Sequence, residues 1–219
     1  MSAPARLVLL TDRRLCEAGG HTLDGVLSAS VNAGARDVVL REKDLDRTDR
    51  SRVARAALSI VAGAGGTLRI ASDAELAGAL GGLPVHLAAG DPVPTSGIAW
   101  GRSCHDEGEV RVAVDEGASY VTVSPVFPSS SKAGYGPPLG TAGLEGLVAA
   151  ARGLPVIALG GVTAGSCAAC IESGARGVAV LSAVMGAADP AAAVEQLLEA
   201  LAAVEHAGLG EAPDRPSPM

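Results

Sequence analysis

Basic residues, aspartates and hydroxyls recur at one kind of position in this chain, just beyond a short apolar run. Arg41 and Lys43 follow "DVVL", Ser72 and Asp73 follow "TLRIA", and Asp91 follows "VHLAAG". Ser103 closes "GIAWGRS", while Ser129, Ser130, Ser131 and Lys132 follow "SYVTVSPVFP". Gly160 and Gly161 end "PVIALGG", and Ser182 ends "GVAVLS". Two separated carboxylates suit Mg²⁺, a hard cation commonly held by one or two carboxylates plus phosphate oxygens. Arginine and lysine neutralise the remaining charge of a diphosphate. A Gly–Gly turn ahead of a helix offers bare backbone N–H groups to an anion. Brought to one rim, these residues would handle a small phosphorylated substrate beside a metal-bound diphosphate.

Each residue also has an ordinary structural reading. Ser72 and Asp73 are good helix caps. Asp91 in "GDPVP" can initiate a turn, and Glu42 with Lys43 can be a solvated charge pair. Gly160-Gly161 can be turn punctuation. His86, on an interior strand, reads as a satisfied core residue, and His105 sits near the start of a helix. Neither histidine is assigned a catalytic role. The chemical reading gains from the shared position of the set.

The elements that must position these residues alternate along the chain. Strand-length apolar runs occupy 6–11, 36–42, 67–72, 84–89, 97–103, 119–125, 155–161 and 177–182. Helix-period segments such as "TLDGVLSASVNAG", "DRSRVARAALSIVAG" and "GEVRVAVDEGA" lie between most of them. The segment "GDPVPTS", with two prolines, leaves no room for a full helix. Eight strand–helix units predict a (β/α)8 TIM barrel, whose site lies at the C-terminal ends of the strands. A doubly wound open sheet is the rival, with fewer strands. One domain is expected over 1–204, followed by a Pro/Gly-rich tail, 205–219, read as disordered.

Composition narrows the function. The chain has 219 residues, is 48% hydrophobic, and holds one Phe, two Tyr and one Trp, so its core must be aliphatic. Few aromatics and a net charge of −7 argue against a nucleic-acid partner. No apolar run approaches a membrane span, and "MSAPARLVLL" is too short in its apolar part for a signal peptide, so a cytoplasmic protein is expected. The oligomeric state is left open, a homodimer being one option. Cys167 and Cys170 form a lone CxxC on an Ala-rich helix, which reads as packing rather than as a metal or redox pair.

Taken in order, "VVLREKD", "SDAELA", "VHLAAGD", "GRSCH", "SPVFPSSSK", "ALGGVTAG" and "GVAVLSAVMGAADP" resemble the thiamine phosphate synthase/thiazole tautomerase (TenI-like) family over about residues 6–204. The resemblance implies that hydroxymethylpyrimidine diphosphate and thiazole phosphate combine to thiamine phosphate and diphosphate, with Mg²⁺ assisting. It further implies Arg41, Lys43 and Lys132 as diphosphate ligands, Asp73 and Asp91 as metal ligands, and Ser103 near the reacting centre. Ser129, Ser131, Gly160, Gly161 and Ser182 fall at positions that contact the thiazole phosphate or its neighbourhood.

The departures alter part of the pyrimidine pocket and one amide ligand of the diphosphate. Val39 stands for the family's usual glutamine, Ser72 and Ala74 for an asparagine and an arginine, "HLAA" for "HLGQ", and Ser124 for a glycine. The tautomerase branch carries an acid/base histidine at the place of Pro125, where proline cannot move a proton. Other readings are a Schiff-base lyase using Lys132 and a non-catalytic binder of thiamine phosphates.

Overall fold

The computed structural model describes residues 3–95, 97–129 and 137–209. Parallel strands follow one another around a closed barrel: β1 (Leu7–Leu10), β2 (Asp37–Leu40), β3 (Thr67–Ala71), β4 (Val85–Leu87), β5 (Trp100–Cys104), β6 (Val121–Val123), β7 (Val156–Leu159) and β8 (Gly177–Val180). Closure comes from β1 on β8, with Val8 opposite Ala179 and Leu9 opposite Val180. Closure leaves none of these eight strands with an unpaired edge. This is the (β/α)8 barrel that the alternation of runs predicts.

Successive strand side chains point to opposite faces, and both faces are buried here. Val8, Leu10, Val39, Ala71, Tyr120, Ile157, Leu159 and Ala179 pack together inside the barrel. Leu7, Leu9, Val38, Leu40, Leu68 and Ile70 belong to the larger core beneath the helices. That double burial is why the strands read as continuous aliphatic runs rather than alternating ones. Towards the N-terminal end, Asp37 and Arg69 form a buried pair at 2.7 Å, and the Arg69 guanidinium lies 5.1 Å from the Tyr120 ring centroid.

Among the described residues the α-helices are α1 (Arg13–Ala18), α2 (Leu23–Asn32), α3 (Arg47–Gly63), α4 (Ala74–Ala79), α5 (Glu107–Asp115), α6 (Gly140–Ala150), α7 (Cys167–Glu172), α8 (Ser182–Met185) and α9 (Pro190–Leu209). The described residues between β4 and β5 contain no helix, as the two prolines predict. α1 departs from one-helix-per-unit regularity. Asp12 creates it by capping the Arg14 and Leu15 N–H groups at 3.1 and 3.3 Å. At six residues, with Cys16 alone fully buried, it carries too little periodicity to be read from sequence. The domain boundary expected after residue 204 falls within α9, and residues 210–219 lie outside the described residues. Cys167 and Cys170 pack from α7 into the core as free, buried thiols.

Candidate active site

At the exit of β2, strand alternation separates the three charges of "REK". Val39, Arg41 and Lys43 line one small cavity together with Ala71, His86, Leu87, Ala88 and Ser103. Glu42 goes the other way and is 1% exposed, so it is not the solvated partner of Lys43. Its carboxylate accepts from Thr11 Oγ1 at 2.8 Å, and from Arg13 N and Nη1, both at 3.1 Å. Thr11 Oγ1 in turn accepts from the Arg41 backbone N–H at 2.9 Å. A buried acid thus braces the segment from outside while its two cations face the cavity.

Charges converge across the next two strand ends. Desolvation lowers the Lys43 pKa although the residue as a whole remains exposed; Arg41 and Arg50 add to the lowering, and Asp91 opposes it. Burial alone would raise the Asp91 pKa. The Ser72 hydroxyl, the Ala88 N–H, Lys43 and Arg102 outweigh burial and hold the carboxyl below its ordinary value. Asp91 Oδ2 accepts from Ala88 N at 2.7 Å. Ser72 Oγ influences this carboxylate by proximity; it is buried and completes no hydrogen bond of good geometry among the described residues. Ser72 itself adopts a left-handed backbone, φ 55°, which is uncommon for a residue with a Cβ.

Asp73 does what its capping alternative expects. Oδ1 accepts from Leu76 N at 2.8 Å to start α4, and Oδ2 pairs with Arg50 Nη1 at 3.2 Å. Arg50 also reaches the Ala71 carbonyl. Asp91, not Asp73, is therefore the carboxylate that faces Lys43 with fewer prior commitments.

Ser103, on β5, lies one strand further round. Its Oγ is 3.0 Å from His86 Nε2 and 3.3 Å from Thr122 Oγ1. His86 is 5% exposed and bonded at both ring nitrogens, the satisfied interior residue expected for it. His105 precedes α5, where its Nδ1 meets Glu109 Oε2 at 3.0 Å.

A second cavity opens beside the first, lined by Asp12, Arg41, Ser129, Gly160, Gly161 and Ser182 among others. Gly160 and Gly161 both have positive φ, 93° and 66°. A Cβ on Gly161 would stand 2.4 Å from the Pro128 carbonyl oxygen and 2.7 Å from that of Phe127. The bare backbone here thus admits the chain that follows β6. Arg41 lines both cavities. Ser130, Ser131 and Lys132 lie outside the described residues.

Arg102 and Arg50 are the positioning residues that the sequence does not reveal. Arg102 Nη2 donates to the Asp91 carbonyl at 2.9 Å, and Arg50 holds Asp73. An arginine inside "WGRSC" was the available signal, since a buried arginine needs a partner.

Fold and mouth together define the class: a (β/α)8 barrel carrying its candidate site on the C-terminal loops. Residues 7–184 match the TMP-TENI family, described as thiamine monophosphate synthase. The chain belongs to this family. It is 37% identical over 204 residues to a putative thiamine-phosphate synthase of Geobacter sulfurreducens, covering 89% of this chain and 93% of that one. It is 38% identical to the thiamine-phosphate synthase of Salinispora tropica, with 92% and 99% covered. The fold is shared with thiamine phosphate pyrophosphorylase from Pyrococcus furiosus, at TM-score 0.80, 24% identity, and 91% and 96% coverage. Among the described residues no helix is long and apolar enough to cross a membrane.

Proposed function

We propose that this protein is a Mg²⁺-dependent thiamine phosphate synthase acting in the cytoplasm on two small phosphorylated substrates. The observation that carries the reading is Arg41, which lines both cavities and so stands where two ligands would meet. The smaller cavity suits the pyrimidine diphosphate, and the larger, with Ser129, Gly160, Gly161 and Ser182, suits the thiazole phosphate. The C–O bond to diphosphate breaks, and a C–N bond to the thiazole nitrogen forms at the same methylene carbon.

Negative charge builds on the departing diphosphate, so fixed cations aimed there lower the barrier. Arg41 and Lys43 supply them, and the family resemblance adds Lys132. The carboxylates fit Mg²⁺, since one or two carboxylates completed by phosphate oxygens is its ordinary coordination. Asp91 stays ionised and spends one oxygen on Ala88 N; Asp73 would join it by loosening its tie to Arg50. When bound, Mg²⁺ supplies charge neutralisation for the leaving group. Ser103 borders the pyrimidine side, and the larger cavity holds the nucleophile near its target.

The test supplies both substrates with Mg²⁺ and follows thiamine phosphate and diphosphate. Stoichiometric appearance of the two is expected, and neither should form when either substrate is omitted. Tight binding of both substrates without product would replace this reading with a non-catalytic binder.

A further inference from the structure

Tyr120 stands immediately before β6 with its side chain wholly inside the barrel. The chain makes room for it: a Cβ on Gly101 would lie 2.1 Å from Tyr120 Cε1. The ring stacks near His86, centroids 5.6 Å apart, and its hydroxyl lies 2.9 Å from His86 Nδ1. That is the hydroxyl's hydrogen-bond partner among the described residues. Burial pushes the phenol well above its ordinary pKa, so it remains a neutral O–H.

A buried O–H left undonated is unfavourable, so the Tyr120 proton goes to Nδ1. Nδ1 must then be the acceptor nitrogen, and the imidazole carries its proton on Nε2. An imidazolium would instead set a second donor against the Tyr120 oxygen and strand the phenol proton. The Nε2–H faces Ser103 Oγ at 3.0 Å and donates to it. Thr122 is also fully buried, and its hydroxyl donates to the same Oγ at 3.3 Å. Both lone pairs of Ser103 Oγ are thereby occupied. Its own proton is left to point into the small cavity that Ser103 shares with Arg41 and Lys43.

We propose that Tyr120, acting through His86, fixes Ser103 as a hydrogen-bond donor to the ligand, so that the small cavity selects a group presenting an acceptor. Under the proposed function, on which only the ligand's name rests, that acceptor belongs to the pyrimidine, whose ring nitrogens qualify. Tyr120 and His86 are positioning residues. Tyr120 lies behind the cavity and His86 in its wall, and both act by deciding which way the serine hydroxyl points.

The direct measurement is the tautomer of His86 in the ¹⁵N-labelled protein, read from its two-bond ¹⁵N–¹H correlations. The wild type should carry the proton on Nε2, and Tyr120→Phe should release a mixture of tautomers. His86→Gln places an amide N–H near the old Nε2 position and should keep most of the affinity for the pyrimidine diphosphate. His86→Leu should raise its KM roughly tenfold, the loss of about one hydrogen bond, with a smaller change in kcat. A proton on Nδ1 in the wild type overturns the proposal, as does a tautomer unmoved by Tyr120→Phe. Loss of affinity in His86→Gln equal to that in His86→Leu counts against it too. An Nε2–H tautomer in a protein that makes no thiamine phosphate would leave this proposal standing and sink the assigned reaction. The Nδ1–H tautomer in an active enzyme would do the reverse.

Discussion

Arg102 Nη2 donates to the backbone carbonyl of Asp91 at 2.9 Å, so a side chain on β5 clamps the loop that follows β4. The same guanidinium pairs with Glu116 at 2.5 Å and lies 5.0 Å from the Trp100 ring centroid. Its charge also helps keep Asp91 ionised. Arg102→Met keeps apolar bulk and loses these bonds, at a cost of about 1–3 kcal/mol. A melting point lower by several degrees and weaker diphosphate-substrate binding are expected. Arg102→Lys should recover little, because one ammonium cannot span the Asp91 carbonyl and the Glu116 carboxylate together. Unchanged melting and unchanged KM in Arg102→Met would contradict the clamp.

Val39 is a buried wall of the small cavity, at a position where the family resemblance implies a glutamine. The surrounding set of Arg41, Lys43, Asp91 and Ser103 supports retained use of the pyrimidine diphosphate. Val39→Gln should therefore change its affinity by less than about threefold. A missing hydrogen bond would be worth ~1 kcal/mol or somewhat more, so a roughly tenfold gain would mark a protein drifted to another ligand. Calorimetric titration of the two proteins separates these cases.

Gly161→Val sets a side chain against the Phe127 and Pro128 carbonyls and forces a β-branched residue to φ 66°. The segment carrying Ser129 must then move, and about 1–3 kcal/mol of stability should go with it. Binding of the thiazole phosphate should weaken more than binding of the pyrimidine diphosphate. Equal weakening of both would place the phosphate away from this turn.

Burial pushes the thiols of Cys16, Cys167 and Cys170 up to about 11, and that of Cys104 to about 12. Each is protonated and inaccessible near neutral pH, where the thiolate is the reactive form. An aromatic disulfide reagent at mild pH should label none of the four in the native protein and all four in denaturant. Raised folded-state values mean that the folded form holds its protons longer. The contribution to stability is therefore complete below the unfolded thiol pKa, near 9, and fades as pH rises towards 11. Rapid native labelling at Cys167 or Cys170 would contradict their packed position.

Much of this was legible in the chain because barrel strands and their exits are local features. "DVVLREK" shows by alternation alone that Val39, Arg41 and Lys43 share a face and that Glu42 does not. The buried role of Glu42 was less visible, since Thr11 and Arg13 lie about thirty residues away. The same holds for Asp73, whose capping duty is local but whose tie to Arg50 spans 23 residues. The chain from Tyr120 through His86 to Ser103 joins β4, β5 and the entry to β6, and no spacing rule links them. Gly101 looked like part of a motif; only the closed barrel shows that its missing Cβ admits the Tyr120 ring. Short α1 escaped because a six-residue helix has barely two turns in which to show a period.

Mg²⁺-dependent coupling at the mouth of the barrel is tested most directly by a Mg²⁺ titration of thiamine phosphate formation by wild type and Asp91→Asn. The wild type should rise from near zero in EDTA to a plateau as Mg²⁺ is added. Asp91→Asn loses a charged ligand while keeping its shape, so at the same Mg²⁺ it should run on the order of 100-fold slower with little change in melting point. Full wild-type turnover in EDTA, or an Asp91→Asn protein as fast as the wild type at every Mg²⁺ concentration, would contradict the account.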